Sequence, residues 1–152
     1  MGRRSNKIME NQFIPYEQAL DLKKLGFNEQ CFGYFENPNS FHEKEILVIN
    51  YNNTTLTSEQ QKRPKLYKID NRNSNLPQWA TSAPTYQQAL QWFKDKYNMK
   101  FYIRPDIWNK WNTVYILDSI IEYEYVGDYD TEEKANLMCL KKLIEIVKKI
   151  KI

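Results

Sequence analysis

Few side chains in this sequence are of the types that make or break bonds. The one histidine, His42, lies in a polar stretch between Phe41 and Glu43. A general base needs a partner that orients it and a group that it activates. No spacing around His42 signals either, so a catalytic histidine is not expected. Glycine occurs only at positions 2, 26, 33 and 127, which argues against the glycine-rich loops that cradle phosphates in nucleotide-dependent enzymes. The acidic run "EYEYVGDYD" is the remaining candidate. Glu122 and Glu124 alternate onto one side of a strand and Asp128 and Asp130 follow at its end, a set of carboxylates of the kind that can hold Mg²⁺. A solvated strand face and a helix cap account for the same residues without an ion. We therefore expect no enzyme, no metal and no cofactor.

Binding chemistry is better represented. In "FKDKYNMKFYIRPDIWNKWN", residues 93–112, Lys94, Lys96, Lys100, Arg104 and Lys110 are interleaved with Tyr97, Phe101, Tyr102, Trp108 and Trp111. Cations that hold phosphates and rings that stack on bases are the two components of single-strand recognition. Alternation in "MKFYIR" sends Met99, Phe101 and Ile103 one way and Lys100, Tyr102 and Arg104 the other. Trp108 and Trp111 fall in a proline-initiated loop, where large rings serve as interface anchors, although tryptophan is also commonly buried. The expected contact residues are Lys94, Lys96, Lys100, Tyr102, Arg104, Trp108, Lys110 and Trp111. The polar stretch from Asn52 to Pro64 is the alternative.

Positioning these residues falls to three helices and a set of strands. The first helix is expected from Pro15 to Leu25, with Gly26 as the left-handed residue beyond it and Ala19, Leu20, Leu22 and Leu25 on its apolar face. "CFGYFENPNS" reads as a loop, while "EILVINY" at 45–51 and "KLYKI" at 65–69 read as strands. Thr85 with Gln88 marks the start of a second helix, whose face is Tyr86, Ala89, Leu90, Phe93 and Tyr97, broadened by Trp92. "MKFYIR", "TVYIL" and "SIIEYEYV" follow as strands. Asp130 with Glu133 marks a final helix, acidic at its start and lysine-rich at its end, as the helix dipole favours. The expected fold is α+β: an antiparallel sheet of four to five strands with three helices, in the order α-β-β-α-β-β-β-α.

A chain of 152 residues with 41% hydrophobic and 27% charged residues suits one folded domain. The net charge of +3 is the charge of Arg3, Arg4 and Lys7; from Met9 onward 19 basic residues meet 19 acidic ones. A neutral domain has no bulk attraction for phosphate backbones, so nucleic-acid binding must come from a local patch. Met9 would itself serve as a start, and residues 1–8 are expected to be a disordered basic tail ahead of a single domain, 9–152. There is no run of apolar residues of membrane-spanning length and no apolar run after Arg3 and Arg4 of the kind a signal peptide has, so a cytoplasmic protein without membrane contact is expected. Cys31 and Cys139 lack metal-ligand spacing and read as core thiols.

"IPYEQALDLKKLGF" at 14–27 is echoed by "APTYQQALQWFKDKY" at 83–97, and "YDTEEKANL" at 129 shares an alanine one turn into a helix. The unequal intervals between Ala19, Ala89 and Ala135 argue against a solenoid and for one helix-start solution used three times. "FIPYEQAL.LK.LGF...CFGYF", "SAPTYQQAL.WF..KY" and "YDTEEKAN..CLKKLIEIVK" together resemble small proteins encoded by bacteriophages and prophages. Some phage proteins of this size are anti-CRISPR inhibitors. The expected function is non-enzymatic binding by a phage-encoded protein, and the resemblance supplies its sharp version, an inhibitor of an RNA-guided host defence nuclease whose partner is the effector protein or its guide RNA. A nucleic-acid-binding accessory protein of the phage life cycle is the alternative, and an enzyme without a recognisable motif is third.

Overall fold

The structure is a computed structural model and describes residues 10–49, 70–106, 111–118 and 122–150. The strand expected at 65–69, the basic tail and the stretch from Asn52 to Pro64 lie outside the described residues. The fold is α+β, but the expected single sheet of four to five strands is replaced by two three-stranded antiparallel sheets. The chain divides into two compact units, Pro15–Pro84, and Met1–Ile14 with Thr85–Ile152.

In the unit Pro15–Pro84, helix α1 (Tyr16–Lys24) starts after Pro15, whose φ of −63° suits a helix entry. It ends in a Schellman motif: the Phe27 amide donates to the Leu22 carbonyl at 2.9 Å and the Gly26 amide to Lys23 at 3.1 Å. Gly26 adopts φ 96°, which a side chain would resist. Strands β1 (Gly33–Glu36), β2 (Ile46–Ile49) and β3 (Ala80–Ala83) form a sheet in the order β2-β1-β3. Phe35 lies opposite Leu47 on one side and Thr81 on the other, and its ring meets Tyr16 of α1 edge-on at 5.5 Å.

Strand β1 falls in a stretch expected as loop, and β3 was not among the expected strands. Four residues, one set bounded by Asn37-Pro38 and the other reading Ala-Thr-Ser-Ala, give too little alternation to mark a strand. Side chains of the preceding irregular stretch hold β3 instead. Asn73 Nδ2 donates to the Phe27 carbonyl at 2.8 Å while its Oδ1 accepts the Ser82 amide at 2.9 Å. Asn71 is buried, donates to the Cys31 carbonyl at 3.1 Å, and its own carbonyl accepts from the Ser82 hydroxyl. These amides satisfy backbone groups that no ladder reaches.

In the other unit, helix α2 (Tyr86–Tyr97) is capped by Thr85, whose hydroxyl accepts the Gln88 amide at 3.2 Å. Tyr86, Ala89, Leu90, Trp92 and Phe93 are buried, and the helix ends at Asn98 with φ 53°. Strands β4 (Lys100–Asp106), β5 (Trp111–Asp118) and β6 (Glu122–Tyr129) form an antiparallel meander. Helix α3 (Glu132–Ile150) packs on β5 and β6. Its Leu140, Leu143 and Val147 are fully buried, as are Val114 and Ile116 of β5. Each such side chain contributes about 1.5–3 kcal/mol, whereas an exposed ion pair such as Lys149–Glu145 is screened by solvent and adds little. Apolar burial therefore dominates this helix–sheet contact. Thr131, not Asp130, caps α3: its hydroxyl accepts the Lys134 amide at 3.1 Å, while Asp130 pairs with the Lys134 ammonium at 3.0 Å.

The alanine echo has a shared geometry. The amides of Ala19, Ala89 and Ala135 donate to Pro15, Thr85 and Thr131, closing the first hydrogen bond of each helix at 3.0, 2.9 and 3.1 Å. All three alanines are buried. Cys31 and Cys139 are buried as well, and burial pushes both thiols up to about 12, well away from thiolate chemistry. Among the described residues, no helix is long and apolar enough to cross a membrane.

Candidate nucleic-acid interface

Alternation along β4 turns Lys100, Tyr102 and Arg104 to one face, with Phe101 and Ile103 on the other. The register sets Tyr102 opposite Tyr115 and Arg104 opposite Thr113. On the far side of β5, Tyr115 lies opposite Tyr125 and Thr113 opposite Asp128. Val114 and Ile116 point the other way and are fully buried. The outcome is a row of three tyrosines across three strands. The Tyr102 and Tyr115 rings stack at 4.9 Å and 22°, and Tyr115 meets Tyr125 at 5.9 Å and 63°. Tyr102 is 41% exposed and Tyr125 54%.

A β-bulge shapes the end of this face. The partners of Val114 and Tyr115 are Gly127 and Tyr125, so Val126 is the extra residue on β6. Tyr125 and Asp128 are three apart and would face opposite ways in a regular strand; the bulge puts both on the tyrosine face. Asp128 then accepts from the Thr113 hydroxyl at 2.6 Å and from the Tyr125 hydroxyl at 2.7 Å. Those two donors hold its carboxyl below the usual carboxylate range, and the same bond to Asp128 pushes the Tyr125 phenol up. The Tyr129 ring folds back over Gly127, where a Cβ would meet its hydroxyl at 2.6 Å.

The acidic run "EYEYVGDYD" is split by this arrangement. Glu124 lies opposite Ile116, on the α3 side, with the Lys142 ammonium at 4.0 Å, whereas Asp128 is on the tyrosine side. Asp130 is occupied by Lys134. Among the described residues, no group of three or more His, Cys, Asp or Glu is placed to hold a metal.

Of the contact residues expected from sequence, Lys100, Tyr102 and Arg104 share the tyrosine face. Lys94 and Lys96 are on α2: the Lys94 ammonium lies 4.7 Å from the centroid of Phe101, a ring on the opposite face from Tyr102, and that of Lys96 lies 5.5 Å from Trp92. Trp108 and Lys110 lie outside the described residues. Trp111 begins β5 opposite Asp106. Tyr115 and Tyr125 join the face from outside the stretch that sequence singled out. Their signal is the alternation of Thr113 and Tyr115 against Val114 and Ile116, and of Tyr123 and Tyr125 against Glu122 and Glu124.

His42 is engaged in holding a turn. Its Nδ1 donates to the Lys44 carbonyl at 2.9 Å and its Nε2 accepts from Asn39 Nδ2 at 3.1 Å, with a Glu36 carboxylate oxygen 3.8 Å from Nε2.

No family model matches the chain, and neither a curated protein nor a solved structure matches it.

Proposed function

We propose that this protein is a non-enzymatic binding protein that stacks unpaired bases of a single-stranded RNA on Tyr102, Tyr115 and Tyr125 while Lys100 and Arg104 hold the flanking phosphates. The observation that supports this reading is the tyrosine row, in which Tyr102 and Tyr125 are exposed and Tyr115 is half-buried between them. A sheet face that carries rings across adjacent strands, with cations beside them, offers surfaces for stacking and charge for a phosphate backbone together. Its magnitudes are modest. Two exposed rings supply roughly 2–6 kcal/mol by stacking, which by itself gives a Kd of roughly tens of micromolar to tens of millimolar for a short oligonucleotide. Two phosphate contacts give a salt slope of only about −1.4. The chain from Met9 onward is neutral, so stacking carries more of the affinity than charge.

The narrower form rests on the resemblance to phage and prophage proteins. The strand is then the guide RNA of a host defence nuclease, and the chain acts in the host cytoplasm as an inhibitor. An accessory protein of the phage life cycle would use the same face on other strands.

Fluorescence anisotropy with an unstructured RNA oligonucleotide tests the reading. Tyr102→Ala and Tyr125→Ala should each weaken binding by about 1–3 kcal/mol, with thermal melting near that of the parent. Lys100→Ala with Arg104→Ala should flatten the salt slope toward zero. Unchanged binding in folded Tyr102→Ala and Tyr125→Ala variants would overturn it. A guide RNA bound no better than an unrelated strand would remove the narrower form alone.

A further inference from the structure

We propose that one end of the Pro15–Pro84 sheet is a docking surface for a basic amphipathic segment of a partner protein. Its residues belong to a different unit of the chain from those of the tyrosine face. Glu36 closes β1 opposite Ile46, which opens β2, and opposite Ala80, which opens β3. The β1–β2 connection and the approach to β3 therefore emerge at the same end of the sheet. The Asn37 amide, one residue past β1, donates to the Trp79 carbonyl at 2.8 Å and ties the two together. Three large apolar side chains are left in solvent here: Phe41 at 94% exposure, Trp79 at 55% and Ile46 at 43%. Single exposed apolar residues need no explanation, but a group of them at one end of a sheet marks an interaction site.

Phe41 does not belong to a loose tip. Asn39 Oδ1 accepts the amides of Phe41 at 2.7 Å and His42 at 3.1 Å, and the Asn39 amide donates back to the His42 carbonyl at 2.9 Å. His42 closes the turn through Asn39 and the Lys44 carbonyl. Asn37 Nδ2 adds a bond to the Gln78 carbonyl at 3.3 Å. Folding has already ordered the backbone that presents this ring, which lowers the entropic cost of docking it.

The charge around these anchors selects the occupant. Residues 36–46 carry Glu36, Glu43 and Glu45 against Lys44, and with the Lys23 ammonium, held at this end by the Ala80 carbonyl at 3.0 Å, three carboxylates face two cations and the rim keeps a net negative charge. Nucleic acid and anionic lipid are repelled by such a rim. A second copy docked through the same patch would set glutamate against glutamate. A segment with apolar residues on one side and Lys or Arg on its flanks satisfies both the anchors and the rim.

The test uses the full chain and a labelled helical peptide of about 18 residues with leucine on one face and lysine on the other, beside a peptide of the same pattern with glutamate for lysine. Anisotropy should show binding of the lysine peptide only. Phe41→Ala and Trp79→Ala should each weaken it about tenfold or more, Phe41→Tyr should retain it, and Tyr125→Ala in the other unit should leave it unchanged. Glu43→Lys with Glu45→Lys should transfer the preference to the glutamate peptide. Equal binding of both peptides, or lysine-peptide binding indifferent to Phe41 and Trp79, overturns the proposal. So does a parent chain that sediments as a dimer and becomes a monomer on Phe41→Ala, which would make the occupant a second copy. A Phe41→Ala variant that fails to fold would also overturn it, because the ring would then not be free.

Discussion

The two sheets have the same number of strands and are held in different ways. In β2-β1-β3 every strand has four residues, and β3 is secured by side-chain amides of Asn71 and Asn73 as much as by its ladder. In β4-β5-β6 the strands have seven or eight residues, and a 19-residue helix is packed on the meander. Long ladders and a large apolar contact leave the second sheet able to expose a whole face of tyrosines. Short ladders leave the first with little to spare, and its exposed large apolar side chains lie at strand ends or beyond them, Phe41, Ile46 and Trp79 at one end and Phe32 at the other. Helix entry differs in the same way. Both α2 and α3 begin with a threonine cap, whereas α1 enters through Pro15 without a side-chain cap and is secured at its exit by Gly26 and Phe27.

The largest effect should come from the apolar contact of the second unit. Leu140→Ala should lower stability by about 2–5 kcal/mol in urea unfolding, the range for a cavity in a packed core. A loss below about 1 kcal/mol would mean that α3 is not what supports the open face. Next comes the first sheet. Asn73→Ala removes the bonds to the Phe27 carbonyl and the Ser82 amide, and should cost about 1–3 kcal/mol. A neutral result would dissolve the contrast, because the four-residue ladders would then be sufficient. Removing the caps should do less: Thr85→Ala and Thr131→Ala should each cost about 1 kcal/mol, and Pro15→Ala should cost α1 no cap bond at all.

The smallest effect is at Tyr125, and pH reads it. Its phenol is raised by Asp128, so the Tyr125–Asp128 bond stabilises the fold below the ordinary tyrosine range and is lost as pH rises through the raised value. The Asp128 carboxyl is lowered, so its share is present above the ordinary carboxylate range and is lost as pH falls through the lowered value. Asp128→Ala should return the Tyr125 phenol toward the ordinary range in an ultraviolet titration. An unmoved titration would mean that the bulge does not hold the carboxylate against the ring.

Helices were legible in the sequence because their ends are chemical: Pro15, Gly26 and Thr85 sit where their backbone roles require. The start of α3 was readable only to within a residue, since Asp130 and Thr131 are both competent caps and backbone geometry chooses between them. Alternation disclosed the faces of β4, but it belongs to one strand and names no partner, so Tyr115 and Tyr125 could not be joined to Tyr102 without the register. The bulge at Val126 is invisible for the same reason, as an extra residue is extra only relative to β5. Strand β3 was unreadable because what holds it, Asn71 and Asn73, is polar and outside it.

The three alanine amides that close the first turn of each helix are also clocks. Each is buried and bonded to the residue before its helix, so its proton can leave for heavy water only when that helix start comes apart. Ala19 times the opening of one unit, and Ala89 and Ala135 time the other. If Ala19 exchanges at the rate of the other two across a range of denaturant, the chain opens as one cooperative body. If it exchanges sooner, the unit with short ladders opens while the tyrosine face is still assembled, and that face outlasts the partial unfolding of the chain.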